Sequence, residues 1–138
     1  MRNADTIAQR YVSLWNQPDA GRRRDAIADL FAEDGVQILQ PPEEIRARAQ
    51  QLGFLAPTLE ARGHQALEFR VTRSYEEFIA PGRFAFRQRD TAEQLGDVVK
   101  FRWEMVSVDD GAVAGVGLEV LCLDGAGRIR RGYQFVEA

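Results

Sequence analysis

Few side chains in this sequence are equipped for chemistry, and the firmest reading of them is what they exclude. One histidine, His64, and one cysteine, Cys122, leave no two-histidine metal set and no Cys-x-x-Cys pair. No glycine-rich loop ends in Lys-Ser or Lys-Thr, and there is no Gly-x-Ser-x-Gly elbow. Phosphoryl transfer, zinc-assisted hydrolysis and serine hydrolysis are therefore not expected, and no metal or cofactor is expected either. His64 follows Gly63 at a helix start, which suits a capping or surface role. Cys122, between Leu121 and Leu123, reads as a small buried hydrophobe. Interest falls instead on a carboxylate, Glu119, within an apolar strand, and on a tyrosine, Tyr11, within an apolar helical stripe.

The elements that would position these two groups follow from periodicity. Ile7, Tyr11, Leu14 and Trp15 recur on one helical face, so residues 5 to 16 are expected to be a helix with Asp5 and Thr6 near its N-terminus. Asn16 to Gly21 break it. Ala26, Ile27, Leu30 and Phe31 give a second stripe ending at Glu33-Asp34-Gly35, where glycine would supply a left-handed cap. Val36 to Gln40 is a short β-prone run stopped by Pro41-Pro42, and Glu43 to Leu52 reads as a short helix closed by Gly53. Leu67, Val71, Tyr75 and Phe78 mark a long helix from about His64 to just before Pro81-Gly82. From Arg83 the period becomes two, clearest where Val99, Phe101, Trp103 and Met105 alternate with Lys100, Arg102 and Glu104. Turn signals at Asp109-Asp110-Gly111 and Asp124-Gly125-Ala126-Gly127 separate that strand from Ala112–Leu123 and Arg128–Glu137. With Arg83–Asp90 these make a four-stranded meander. Helices first and strands after imply a single α+β domain over residues 1–138, its helices gathered on one face of the sheet.

Whether Glu119 faces inward depends on strand register. A two-residue turn at Asp110-Gly111 sets it opposite Arg102 as an exposed ion pair of little worth. A three-residue Asp109-Asp110-Gly111 loop, with glycine in the left-handed region, moves it to the dry face of Phe101 and Trp103. Asp-Asp-Gly suits the longer loop. A four-residue turn at 124–127 would bring Arg130 and Gln134 to the same face, where Arg130 would compete to neutralise Glu119. The Tyr11 hydroxyl fits equally a core position or a cavity edge.

The order of these elements, with four local strings, resembles the nuclear transport factor 2-like superfamily, and within it the SnoaL-like cyclases and ketosteroid isomerases. The strings are Gln9-Arg10-Tyr11-Val12, Leu30-Phe31-Ala32-Glu33-Asp34, Arg62-Gly63-His64-Gln65-Ala66-Leu67 and Leu123-Asp124-Gly125-Ala126-Gly127-Arg128-Ile129. The resemblance spans nearly the whole chain and implies a cone-shaped roll with helices on the concave face of a curved antiparallel sheet. In the isomerases a first-helix tyrosine and a protonated acid on the penultimate strand hold a developing oxyanion, and a carboxylate near the first strand moves the proton. Tyr11 and Glu119 match the first two positions. The base position falls on Leu39 or Gln40, which cannot abstract a proton, so that mechanism is not expected. In the cyclases an acid near the Glu119 position is the implied acid/base of an aldol-type ring closure, a role that burial could suit by raising its pKa. The Asp, Arg, Asp set of the epoxide-hydrolase branch is echoed only loosely by Arg102-Trp103-Glu104. The expected site therefore has Glu119 and Tyr11 as its catalytic pair, with Trp103, Phe101, Trp15, Leu39, Gln134 and Leu121 as walls of a pocket for a small apolar carbonyl compound. The alternative is a non-catalytic binding or dimerisation module in which Tyr11 and Glu119 are structural.

The 138 residues carry a net charge of −3 and a pI near 5.2. The basic run Arg22-Arg23-Arg24 is answered by Asp19, Asp25 and Asp29, so nucleic acid is not an expected partner. The polar start Met1-Arg2-Asn3-Ala4-Asp5 resembles no signal peptide, no stretch is long enough to cross a bilayer, and the cytoplasm is the default location. The strand Ala112–Leu123 is apolar on both faces, with Val116, Leu118 and Val120 opposite Leu121 and Leu123. A second copy of the sheet is the expected cover, giving a homodimer through the outer face.

Overall fold

A computed structural model describes residues 3–137; Met1 and Arg2 of the polar N-terminal stretch, and Ala138, lie outside the described residues. The first helix, α1 (Ala4–Asn16), begins where the Asn3 side chain accepts the Thr6 amide at 2.8 Å. Its stripe of Ile7, Tyr11, Leu14 and Trp15 is buried as the spacing predicts. Helix α2 (Ala20–Leu30) starts earlier than its apolar stripe suggests, because Asp19 accepts the Arg22 amide at 2.9 Å and caps it. The basic run thus lies on this helix: Arg23 is buried with its guanidinium 4.8 Å from the Tyr75 ring centre, and Arg24 pairs with Glu68 rather than with the neighbouring aspartates.

Gly35 corrects an expectation. The helix ends at Leu30 and the chain passes directly into β1 (Phe31–Leu39), so Gly35 lies inside a strand and outside the left-handed region. A Cβ there would sit 2.9 Å from the Ile129 carbonyl oxygen and 3.0 Å from that of Ala32. Glycine is needed for close backbone approach where the register of β1 slips. Helix α3 (Glu43–Gln51) and the short β2 (Leu59–Arg62) follow, then α4 (His64–Ser74). The expected long fourth helix is α-helical only to Ser74; its end, Tyr75–Ile79, widens into a π-helical turn. β3 (Phe84–Gln88), β4 (Glu93–Leu95), β5 (Val98–Ser107), β6 (Val113–Leu123) and β7 (Ile129–Glu137) complete the chain.

The strands form one curved seven-stranded sheet in the order β2-β1-β7-β6-β5-β3, with β4 also paired to β5. The sheet is mixed, because β1 runs parallel to β7. No turn joins these two strands, so nothing forces the antiparallel sense a hairpin imposes. α1 packs on β3 and β5, and α2 and α4 pack on β1 and on each other. Between helices and sheet lies a core that includes Ile7, Leu14, Phe31, Leu67, Val99, Phe101 and Leu121. α3 has no buried residue and contributes nothing to this core. Among the described residues no helix is long and apolar enough to cross a membrane.

Candidate functional site

The inward direction of Glu119 is produced by one extra residue. Ser107 donates to the Ala112 carbonyl at 2.8 Å, closing a four-residue connection, and Gly111 within it has φ +72°. That closure alone would leave Glu119 on the outer face. The register then slips between Met105, opposite Gly115, and Val106, opposite Val113, leaving Ala114 as a bulge. Beyond it Phe101, Glu119 and Gln134 form one cross-strand row. The alternative in which Glu119 shares a face with Phe101 and Trp103 is thus the one the chain adopts, by a longer loop plus a bulge.

Arg130 does not reach this row. The register between β6 and β7 shifts between Cys122 and Leu123, which pair with Arg131 and Ile129, so Arg130 falls in the irregularity and is exposed. The cation near Glu119 is Arg70, from the middle of α4.

Glu119 is 1 % exposed and Tyr11 2 %. The Tyr11 hydroxyl donates to Glu119 Oε1 at 3.0 Å, and the Trp103 indole Nε1 donates to the same oxygen at 3.2 Å. Glu119 Oε2 is buried without a hydrogen-bond partner among the described residues. With two donors on Oε1 and none on Oε2, the neutral acid would carry its proton on Oε2. Electrostatics agree: burial pushes the carboxyl from its ordinary 4.5 to about 8, outweighing Tyr11, Trp103 and the charge of Arg70, which all favour the anion. Burial and the neighbouring Glu119 push the Tyr11 hydroxyl well above its usual range, so it remains a donor.

Behind Tyr11 the donors continue in one direction. Gln37 Nε2, from β1, donates to the Tyr11 oxygen at 3.2 Å and to Gln134 Oε1 at 3.1 Å, and Arg70 Nε donates to Gln37 Oε1 at 3.1 Å. Neither Gln37 nor Arg70 stood out in the sequence. The available signals were the inward alternation of Gln37 with Leu39, and the position of Arg70 on the stripe of Leu67, Val71 and Ser74.

Glu119, Tyr11, Trp103, Arg70 and Gln134 line a cavity of about 750 Å³, and Gln37 lies behind its wall. Of the expected wall, Trp103, Trp15, Leu39 and Gln134 line it. Phe101 and Leu121 do not: they are buried in the core, where Phe101 packs edge-on against the Tyr11 ring at 5.6 Å. Trp103 reaches the acid because Gly117 lies beneath it; a Cβ at 117 would be 2.1 Å from the indole. Leu39 and Gln40 supply no base, as expected from their chemistry. The loose echo Arg102-Trp103-Glu104 does not assemble either, since Glu104 turns outward and is held by Arg87 at 2.6 Å and Arg89 at 3.5 Å. His64 ties α4 to β1, its Nε2 lying 3.0 Å from the carbonyl oxygens of both Phe31 and Ala32. Cys122 is half-buried. Among the described residues no three histidine, cysteine or carboxylate side chains are grouped to hold a metal.

The fold is similar to the α+β cone of SnoaL-like and nuclear transport factor 2-like proteins of known structure. Among solved structures, a SnoaL-like family protein of Agrobacterium tumefaciens strain C58, described as a candidate isomerase, matches with a TM-score of 0.76 and 24% identity over 96% of each chain. A SnoaL-like protein of unknown function from Burkholderia thailandensis matches at TM-score 0.66 and 16% identity, over 98% of this chain and 95% of that one. A candidate polyketide cyclase of Sinorhizobium meliloti gives 0.57 and 14%, over 93% and 92%. No protein-family model matches the sequence, and no curated protein does. At such identities the likeness is one of fold.

Proposed function

We propose that the cavity binds an apolar carbonyl compound and that Glu119, as a neutral acid, acts on its carbonyl oxygen, with Tyr11 and Trp103 holding the carboxyl in place. The observation that carries this reading is the buried Glu119 carboxyl with both donors on Oε1 and Oε2 unpartnered. The fitting chemistry is a ring closure of aldol type on a substrate that enters as an enol. As the enol carbon bonds to the carbonyl carbon, the Oε2 proton passes to the carbonyl oxygen, which becomes a hydroxyl. The carboxylate left behind recovers a proton from the enol hydroxyl, which becomes a ketone. One carboxyl suffices, which fits a site without a base at Leu39 or Gln40.

The test is Glu119→Gln in a screen of enolic polyketide-like diketones, followed by ring-closed product. Turnover in the wild-type chain that falls about 10²–10⁴-fold in the variant, with binding retained, supports the role. The rate should hold below pH 8 and fall above it, as the acid ionises. The missing base favours a second reading, a binding module without catalysis. Ligand binding with no turnover across the screen selects it.

A homodimer through the outer sheet face goes with this reading, supported by Leu118, Val120 and the 43 % exposed Phe135 on outward positions of β6 and β7. So does a cytoplasmic location, supported by a single cysteine that needs no oxidising compartment.

A further inference from the structure

Arg70 is a charge without a paired counter-charge among the described residues. Its Nε donates to Gln37 Oε1 at 3.1 Å and its Nη2 to Gln134 Oε1 at 3.4 Å, both neutral amides. Its Nη1 donates to no described residue, and no described carboxylate lies within 4.0 Å of it. The acids felt by Arg70 are Glu119 and Glu77, neither in contact with it. The guanidinium stacks 5.4 Å from the centre of the Trp15 ring, and both residues line the cavity. Trp15 is itself nine-tenths buried, and its indole Nε1 has no acceptor among the described residues. A half-buried cation backed only by amides, beside an orphaned indole N–H, lacks an anionic acceptor.

We propose that the molecule held in the cavity carries a carboxylate that pairs with Arg70 beside Trp15, while its carbonyl lies toward Glu119. This rests on the cavity being the ligand site. Arg70 then acts as the specificity residue, selecting apolar keto acids over neutral ketones of the same shape. The neutral state of Glu119 suits this division, since an ionised acid across the cavity would repel the anion.

Calorimetry with two probes, 6-acetyl-2-naphthoate and its methyl ester, tests the proposal near pH 7. The acid is expected to bind the wild-type chain at least about tenfold more tightly than the ester, the effect of one charge-assisted pair. Arg70→Gln should bring the two affinities within about twofold while ester binding persists. Arg70→Lys, which keeps the charge and loses the fork, should retain part of the preference. Equal binding of acid and ester by the wild-type chain overturns the proposal and leaves the cavity as the ligand site. An acid preference that survives Arg70→Gln also overturns it. Failure of both probes to bind overturns the cavity reading together with this one.

Discussion

At the scale of single residues, Glu119 makes a prediction about stability as well as activity. Its pKa is about 8 in the fold and near 4.5 when exposed, so between these values the folded chain holds a proton that the unfolded chain has released. Stability from the neutral acid is complete below about pH 4.5 and is lost as pH rises through about 8. The loss approaches the full difference of roughly 5 kcal/mol as an upper bound. Glutamine imitates the neutral acid, so Glu119→Gln should remove this part of the pH dependence. Urea unfolding at pH 6 and pH 9 checks it: the wild-type chain should weaken relative to the variant at the higher pH. Parallel curves, or a wild-type chain gaining on the variant, would show that Glu119 is folded as an anion. Gly117 offers a second test. A methyl group there meets the Trp103 indole at 2.1 Å, so Gly117→Ala should displace the ring and break its bond to Glu119. The expected destabilisation is about 1–3 kcal/mol by denaturant unfolding, with a shift in tryptophan emission.

The elements show what period and turn chemistry can reveal and where they stop. The α1 stripe, the inward face of β5 and the Pro41-Pro42 stop were legible because side-chain spacing alone decides them. β2 and β4 were not, since strands of four and three residues carry too little alternation and are held by their partners. The bulge at Ala114 was also hidden: alanine carries no bulge signal, and the extra residue shows only once both strands are paired. Yet the bulge decides whether Glu119 looks inward. Deleting Ala114 should therefore cost far more than lengthening the nearby loop. Removal either turns Phe101 and Glu119 to opposite faces or unpairs the strand, and the expected outcome is a chain that fails to unfold cooperatively. One residue inserted between Asp109 and Asp110 should cost under about 1 kcal/mol, because loop closure depends weakly on length. Comparable unfolding midpoints for the two variants would count against this account of the register.

At the scale of the whole molecule, the site is internal to one chain. The side chains that act, bind or enclose come from every helix but α2, every strand but β4 and the π-helical turn, all around one cavity. Outward positions on the same strands alternate with them, so Arg102, Leu118 and Phe135 form one outer row beside the inner row of Phe101, Glu119 and Gln134. The proposed dimer would use the outer row and the proposed ligand the inner side, so the two properties should separate. Phe135→Arg places a charge where a self-complementary contact would need apolar surface and touches nothing in the cavity wall. Sedimentation at micromolar concentration should then find the wild-type chain dimeric and the variant monomeric. The affinity of the variant for 6-acetyl-2-naphthoate should stay within about twofold of wild type. A monomeric wild-type chain removes the dimer and leaves the site as argued, because no wall residue is borrowed. Loss of binding on dissociation would mean that the outer face holds the curvature of the sheet, and with it the distance between Arg70 on the helical side and Glu119 on the strand.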